Sequence, residues 1–329
     1  MNRLMIYGAT GYTGRMAAIH ARAAGLDLIL AGRDETRLAE LGRSLGMEHR
    51  VFTLDHDAAI DAALQDVAVL LNCAGPFQRT ADPLMRGVIR RGTHYLDIAA
   101  ELDSYRLAEA YDAQAQSTGV MLLPGSGGSV AMLGSLAGRA AERVGRPHTI
   151  RVALHVAGAM SRGSAISAAE NLTGECLERV DGALRIREPG ATQGFNFGSG
   201  PVPCFPVTLP DLMTLWKALQ APNIGTFVHV SGNAFPTGEL TALPDGPSAE
   251  ERDANRYQAA VEVTGTGGET VRAILDTVNG YSFTPIAAAE AARRVLAGEA
   301  RPGFQTTTEL FGNGFAETIA NTTIRILQD

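Results

Sequence analysis

A chain of 329 residues that is 45% hydrophobic and 19% charged can bury a large core, and its length predicts two globular domains. A formal net charge of -7 argues against nucleic acid as the main partner, which a basic face would meet. No apolar run reaches the roughly 20 residues that cross a bilayer, and the N-terminus lacks the regions of a secretory signal, so no membrane span and a cytoplasmic address are expected.

The chain opens on a short apolar strand, Leu4 to Tyr7, followed by Gly8-Ala9-Thr10-Gly11-Tyr12-Thr13-Gly14 and an alanine-rich helix from Arg15 to Ala24. Met16 and Ile19 are spaced for one buried face of that helix, and Gly25 is a stop signal. Leu26 to Ala31 reads as a second strand. An amphipathic helix follows it, with Leu38, Leu41 and Leu45 at helical spacing. The alternation continues through the strand Arg50 to Leu54, the helix Ala58 to Leu64, the strand Val67 to Leu71, a helix over Pro83 to Arg91, and the strands Thr93 to Ile98 and Val120 to Leu123. Strands that are apolar throughout and separated by helices belong to a parallel sheet covered on both faces.

Beyond Pro124 the pattern changes. Residues Thr149 to Val156 alternate apolar and polar, and Val261 to Val263 and Val271 to Leu275 flank a glycine-rich turn as a hairpin. Gly182 to Pro210 and Leu243 to Pro247 are dense in glycine and proline and read as loops. A helix from Ile286 to Leu296 and a last helix-like segment close the chain. The expected architecture is α/β: a doubly wound parallel sheet over 1–124 and a second α+β domain with a mixed or antiparallel sheet over 125–282. Residues 283–329 are free to pack back on the first domain.

The glycines at 8, 11 and 14 lie directly after a strand and directly before a helix. There, backbone N–H groups at a helix N-terminus can face a pyrophosphate, and a Cβ would hold the phosphate away or block the turn. Gly8, Thr10, Gly11, Tyr12, Thr13 and Gly14 are therefore candidate cofactor contacts. At the end of the second strand an acidic residue would suit the ribose 2′-hydroxyl of NAD. This chain has Arg33 there, and a guanidinium grips a 2′-phosphate, so NADP (NADPH) is the expected cofactor. Arg37 stands one turn on. Asp34 leaves NAD possible, and pairing of Arg33 with Asp34 or Glu35 on the surface is the competing reading.

These residues resemble the saccharopine dehydrogenase-like NAD(P)-binding oxidoreductases, a family that includes saccharopine reductase and the trans-acting enoyl reductases. The resemblance rests on GATGYTG after the first strand, AGR after the second, NCAGPF (Asn72 to Phe77) after the fourth and GTHYLDIAAE (Gly92 to Glu101) around the fifth. It is looser beyond residue 101, where Met160 to Ser164 and the tail segment GFQT carry it. It implies a Rossmann domain and a mixed-sheet domain that holds substrate and often dimerises, with the loop of Asn72, Ala74, Gly75 and Pro76 beside the nicotinamide. Where many relatives read G-F-D-S-x-P-S-D, this chain reads Gly125-Ser126-Gly127-Gly128-Ser129-Val130-Ala131, without the aspartates.

For the chemistry itself, Asp97 and Glu101 are the candidate catalytic acids, at or just past the fifth strand with Tyr95; capping or loop-bonding roles are the alternative. A buried carboxyl with a raised pKa can deliver a proton. His94 and His155 lie on strand-like runs, where histidine is ordinarily packed or exposed, and Cys73 beside Ala74 fits inert packing. Arg162 could clamp a substrate carboxylate or phosphate, or lie in a plain surface turn. Cys73, Cys176 and Cys204 form no C-x-x-C pair, so neither a disulfide frame nor a metal site is indicated. Lys217 is the only lysine, which disfavours Schiff-base chemistry, and no Tyr-x-x-x-Lys pair exists.

Two functions remain in view. One is an NADP-dependent oxidoreductase moving hydride between nicotinamide and a C=O, C=N or activated C=C bond of a small organic substrate. The other is an NADP(H)-binding sensor without turnover. A homodimer is expected for either.

Overall fold

A computed structural model of the chain describes residues 2–328 except 172–174, 189–191, 233–238 and 240–242. In chain order the first elements are β1 (Arg3–Tyr7), α1 (Tyr12–Ala23), β2 (Asp27–Gly32), α2 (Glu35–Leu45), β3 (Glu48–Val51), α3 (Asp57–Ala63), β4 (Val69–Asn72) and α4 (Phe77–Arg91). Then come β5 (His94–Asp97), α5 (Leu102–Ala110), α6 (Asp112–Ser117), β6 (Met121–Leu123), α7 (Gly128–Ala141), β7 (Pro147–Ala157) and α8 (Arg162–Asn171). The remainder comprises β8 (Leu177–Val180), β9 (Ala183–Ile186), β10 (Gln193–Asn196), β11 (Pro201–Pro206), α9 (Asp211–Leu219), β12 (Asn223–Ser231) and α10 (Ala249–Ala254). Last are β13 (Tyr257–Gly265), β14 (Thr270–Thr277), α11 (Gly280–Leu296), β15 (Gly303–Phe304), α12 (Thr307–Phe311) and β16 (Thr323–Ile326).

The chain divides into two compact units, one of Met1–Gly128 with Thr284–Leu310, the other of Ser129–Phe283 with Phe311–Asp329. The tail, whose place the sequence left open, is split between the two. Where a last helix-like segment was expected, the chain forms the short α12, a turn of 3₁₀ helix at Ala316–Thr318 and the strand β16.

The first unit is built on a seven-stranded parallel sheet in the order β15-β6-β5-β4-β1-β2-β3. Leu4, Met5 and Ile6 are completely buried because β1 lies inside the sheet, with Ile6 opposite Leu30 of β2 and Leu71 of β4. Strand order therefore reverses between β1 and β4, the place where doubly wound sheets open a crevice at their carboxyl ends. The expected packing of α1 through Met16 and Ile19 is corrected: Ile19 is 44% exposed, and the buried face consists of Gly14, Ala17, Ala18 and Ala21. Small side chains let the helix axis lie close to the sheet, and that outweighs the larger apolar pair. The helix α2 follows its sequence cues, with Leu38 and Leu41 buried, an Asp34 N-cap that accepts from Arg37 N–H at 3.0 Å, and Gly46 at φ +66 as C-cap.

The second unit holds a nine-stranded mixed sheet, running β10-β11-β12-β7-β13-β14-β16, with β8 paired to β12 and β9 to β8. The expected hairpin is β13–β14, in the register Val261 to Ala273 and Val263 to Val271. The sheet is not purely antiparallel, because β12 runs parallel to β7. The stretch 182–210, read as loop, is corrected too: its described residues contain β9, β10 and β11. Phe195, Phe197 and Cys204 from this stretch pack with Ala153, Phe227, Ala260 and Ile274. Burial of alternate residues in a two-stranded flap prevailed over the turn propensity of its glycines and prolines.

Candidate functional site

The Gly8–Gly14 turn leaves β1 and enters α1. Gly8 N–H bonds Ala31 O at 2.9 Å, which continues the β1–β2 ladder, and Gly11 N–H bonds Gly8 O at 3.0 Å to close the turn. The three glycines do different work. Gly8 has φ +80, and a Cβ there would stand 2.8 Å from Ala74 N, so it admits the loop after β4. A Cβ on Gly14 would lie 2.2 Å from Gly8 O, so Gly14 lets the helix seat on its own turn. Gly11 is exposed, with ordinary extended backbone at φ -74 and ψ 166, and an added Cβ would meet only Gly8 O at 3.3 Å. Packing demands the first two; what remains for Gly11 is the open side of the helix N-terminus. That terminus has no acidic residue in its first turn and no capping side chain.

Arginines gather beside it. Arg37 donates to Thr10 O at 3.0 Å, and a surface cavity is lined by Thr10, Arg15, Arg37, Glu40, Leu41 and Ser44. Arg33, just past β2, is exposed and forms no ion pair among the described residues. Its expected competitor Asp34 is occupied as the α2 cap. Arg15 was missed in the sequence; its signal is a cation in the first turn of a helix that opens on a glycine cradle.

On the other side of β1 a buried polar chain ties together the loops that follow β4, β5 and β6. Asn72 is fully buried. Its Oδ1 accepts from Ala74 N–H at 3.0 Å, and its Nδ2 donates to Thr80 Oγ1 at 3.0 Å and to Tyr95 OH at 3.2 Å. Thr80 passes its own proton to Ala74 O at 2.7 Å. Tyr95 donates to Asp97 Oδ2 at 2.9 Å, while Asp97 Oδ1 accepts from Ala99 N–H at 2.9 Å and Gly125 N–H at 2.7 Å. The Asp97 carbonyl accepts from both N–H and hydroxyl of Ser126, each at 2.8 Å. Burial pushes the Asp97 carboxyl up to about 7, against the opposing pull of the Gly125 and Ala99 N–H groups. Burial and the neighbouring Asp97 hold the Tyr95 phenol well above its ordinary value.

Asp97 and Glu101 thus differ. Asp97 is completely enclosed with both oxygens engaged, whereas Glu101 stands at the N-cap position of α5 without a side-chain cap bond and keeps Oε1 without a partner among the described residues. Thr80, Gly125 and Ser126 also belong to this network and were not singled out from sequence. Among the remaining candidates, the Cys73 thiol is pushed up by burial and by Asp97, and His94 Nδ1 accepts from Met121 N–H at 3.1 Å. His155, in the second unit, bonds Ser231 Oγ at 2.8 Å. Arg162 is taken up by Leu243 O at 3.2 Å and by Asp245. Among the described residues no group of three or more His, Cys, Asp or Glu could hold a metal ion. No described helix is long and apolar enough to cross a membrane.

A parallel sheet that reverses at β1, with a glycine turn feeding a helix N-terminus at the reversal, defines a dinucleotide-binding α/β protein. Residues 4–123 match the saccharopine dehydrogenase NADP-binding domain. Over that stretch the chain is similar to the saccharopine dehydrogenase-like proteins. A trans-acting enoyl reductase of Mycobacterium tuberculosis is 30% identical over 128 residues, which is 36% of this chain and 31% of that protein. A saccharopine dehydrogenase-like oxidoreductase of Mus musculus is 28% identical over 144 residues, 38% of this chain and 34% of that protein. The matches therefore span well under half the length of these relatives. Among solved structures, apo saccharopine dehydrogenase (L-Glu forming) from Saccharomyces cerevisiae aligns over 100% of both chains with a TM-score of 0.67 and 13% identity. Homospermidine synthase from Legionella pneumophila, solved with NAD, aligns over 99% of this chain and 91% of its own with a TM-score of 0.69 and 12% identity. At such identities the structures show a shared fold.

Proposed function

We propose that the protein is an NADP-dependent oxidoreductase that moves hydride between the nicotinamide and a C=O, C=N or activated C=C bond of a small organic substrate. The observation that carries this is the glycine cradle at the β1–α1 turn with Arg33, Arg37 and Arg15 around it, inside a stretch that matches an NADP-binding domain. Gly8 to Gly14 would hold the pyrophosphate, with the open side at Gly11 facing it. Arg33 and Arg37 would grip the 2′-phosphate, with Arg15 beside them. Asn72 and Ala74 to Pro76 would border the nicotinamide.

When bound, the cofactor supplies or accepts the hydride. The chain's own residues do the rest. The α1 N-terminus favours the anionic phosphates, the arginines select the phosphorylated ribose, and the Asn72–Tyr95–Asp97 chain fixes the loops that border the ring. Asp97, saturated by donors, acts in this scheme as a positioning residue rather than as the acid that meets substrate.

The enoyl reductase among the relatives supports the C=C member of this set. A sensor without turnover is favoured by the engagement of Asp97 and by the absence of aspartates from residues 125–131. Steady NADPH consumption with any of a panel of imines, aldehydes and enoyl thioesters separates the two. A homodimer is part of the proposal, and light scattering that finds a monomer at high concentration would remove it.

The test of the nucleotide assignment is a fluorescence titration of NADPH and NADH on wild type and on Arg33→Ala. Loss of one charge-assisted phosphate bond costs about 1.5–3 kcal/mol, so a preference for NADPH of about tenfold or more is expected in wild type and should fall by about that factor in the variant. If neither nucleotide binds, the glycine turn serves packing alone and the oxidoreductase assignment falls.

A further inference from the structure

The start of α5 holds two buried polar atoms that are unpaired among the described residues. Glu101 is 6% exposed; its Oε2 accepts from Ala100 N–H at 3.0 Å and its Oε1 has no hydrogen-bond partner among the described residues. Ser104, one helical turn on and 2% exposed, bonds Glu101 O through its N–H at 3.2 Å but leaves Oγ without a partner among the described residues. Native chains rarely keep such atoms unpaired, because the desolvation of a buried acceptor or donor is then uncompensated. A carboxylate oxygen accepts and a hydroxyl donates. Glu101 is the N-cap residue of α5 and Ser104 the third residue of that helix, so both belong to the same helix end. The chemical complement of that pair is a primary carboxamide, which has N–H groups to donate and a carbonyl oxygen to accept.

The location narrows the source. Glu101 follows β5, and the carboxyl ends of β4, β5 and β6 lie on the opposite side of the β1 reversal from β2 and Arg33. A dinucleotide laid across such a reversal puts its adenosine over one half and its nicotinamide over the other. The loop that carries Glu101 is also anchored: Asp97 holds Ala99 N–H within it and Gly125 N–H in the loop after β6, and Tyr105 donates to Ala99 O at 2.8 Å. The unpaired carboxylate oxygen therefore sits on a braced segment rather than on a loose one.

We propose that Glu101 and Ser104 receive the carboxamide of the nicotinamide, its N–H donating to Glu101 Oε1 and the Ser104 hydroxyl donating to its oxygen. The inference rests on the nucleotide assignment above. It makes Glu101 a binding residue that fixes the rotation of the ring rather than a proton donor to substrate. A nitrogen of the substrate is the other source of the same N–H chemistry.

The experiment is a fluorescence titration of wild type, Glu101→Ala, Glu101→Gln and Ser104→Ala with two reduced dinucleotides: NADPH and its 3-acetylpyridine analogue, in which a methyl group replaces the amide nitrogen. Glu101→Ala is expected to weaken NADPH roughly ten- to hundredfold while the analogue stays within about twofold, because only NADPH has the N–H that a carboxylate bonds. Ser104→Ala should weaken both alike, since both keep the carbonyl oxygen. Glu101→Gln, which keeps the volume and removes the charge, should show a smaller loss confined to NADPH, and it carries the test if the alanine variant does not fold. Unchanged NADPH binding in both Glu101 variants would overturn the proposal and leave the substrate nitrogen or the fold as the reason for the carboxylate. Equal weakening of both dinucleotides would overturn it as well, as general loosening of the loop. If wild type binds neither dinucleotide, the nucleotide assignment itself fails, a result distinct from either.

Discussion

The three glycines of the β1–α1 turn separate packing from binding, and two substitutions test the separation. In Gly14→Ala the new methyl would be placed 2.2 Å from the Gly8 carbonyl oxygen, which is backbone and cannot swing aside. Ordinary contact begins near 3.4 Å, so α1 must lift by the order of an ångström from its own turn, which disturbs the completely buried Ala17, Ala18 and Ala21 on the same helix. Overpacking of this kind costs about 1–3 kcal/mol, and the gain in helix propensity of about 1 kcal/mol offsets part of it. Gly11→Ala differs. Its backbone is in a region open to any residue, and the methyl meets one atom at 3.3 Å, so stability should change by less than about 1 kcal/mol. The same methyl projects where the phosphate must approach the helix N–H groups. Urea unfolding paired with NADPH titration reads both quantities. Gly11→Ala should melt like wild type and lose about tenfold or more in affinity, the worth of one charge-assisted bond, whereas Gly14→Ala should lose stability first. A Gly11→Ala protein that binds NADPH as wild type does would refute the assignment of that face to the phosphate.

Arg37→Ala should weaken NADPH by up to about fivefold and leave NADH nearly unchanged, since an exposed charge contact contributes about 1 kcal/mol or less; equal loss for both nucleotides would mean that its bond to Thr10 O shapes the turn instead. Asp97→Asn places an amide N–H where Asp97 Oδ2 now accepts the Tyr95 hydroxyl, so a cost of about 1–3 kcal/mol is expected, with weaker NADPH binding in the same titration. Asp211, at the start of α9, is completely buried with no partner from another residue for either carboxylate oxygen among the described residues, and burial pushes it up to about 7. Its folded-state value lies above the unfolded one, so the stabilisation it gives is complete below about pH 4 and fades as pH rises through about 7. Measured against Asp211→Asn, wild type should lose at most about 4 kcal/mol between those limits, and a pH-independent difference in urea unfolding would contradict this.

Much of the first unit was legible because the middles of β1, β2 and β4 are apolar and its turns carry glycine where φ is positive. Gly8 to Gly14 leads from β1 into the first turn of α1, and Arg33 stands just past β2. Legibility failed where the deciding neighbour came from another segment. Ile19 pointed to a buried face that the smaller Ala17 and Ala18 took, because closeness of helix to sheet is a property of the sheet's surface. In 182–210, glycine and proline masked the alternation of Phe195, Phe197 and Cys204. The chain from Thr80 through Asn72 and Tyr95 to Asp97 joins residues up to 25 positions apart. Only strand register, with Asn72 opposite Asp97, brings them together. The same holds for Glu101 and Ser104, whose residue types were visible but whose lack of partners was not.

The edge strand β15 has a consequence for how the chain can be made. It pairs with β6 through Gly303 opposite Met121 and Phe304 opposite Leu122, and the Phe304 N–H closes onto Asp112 at 2.7 Å. A ribosome that has just released residue 128 has therefore delivered six of the seven strands of the first sheet and left β6 as an open edge, a template for pairing with a stranger. The whole second unit up to Phe283 must emerge before the strand that seals that edge arrives. Expression of residues 1–128 alone should give a sticky product, and adding the segment 284–310 in trans or by fusion should cure it.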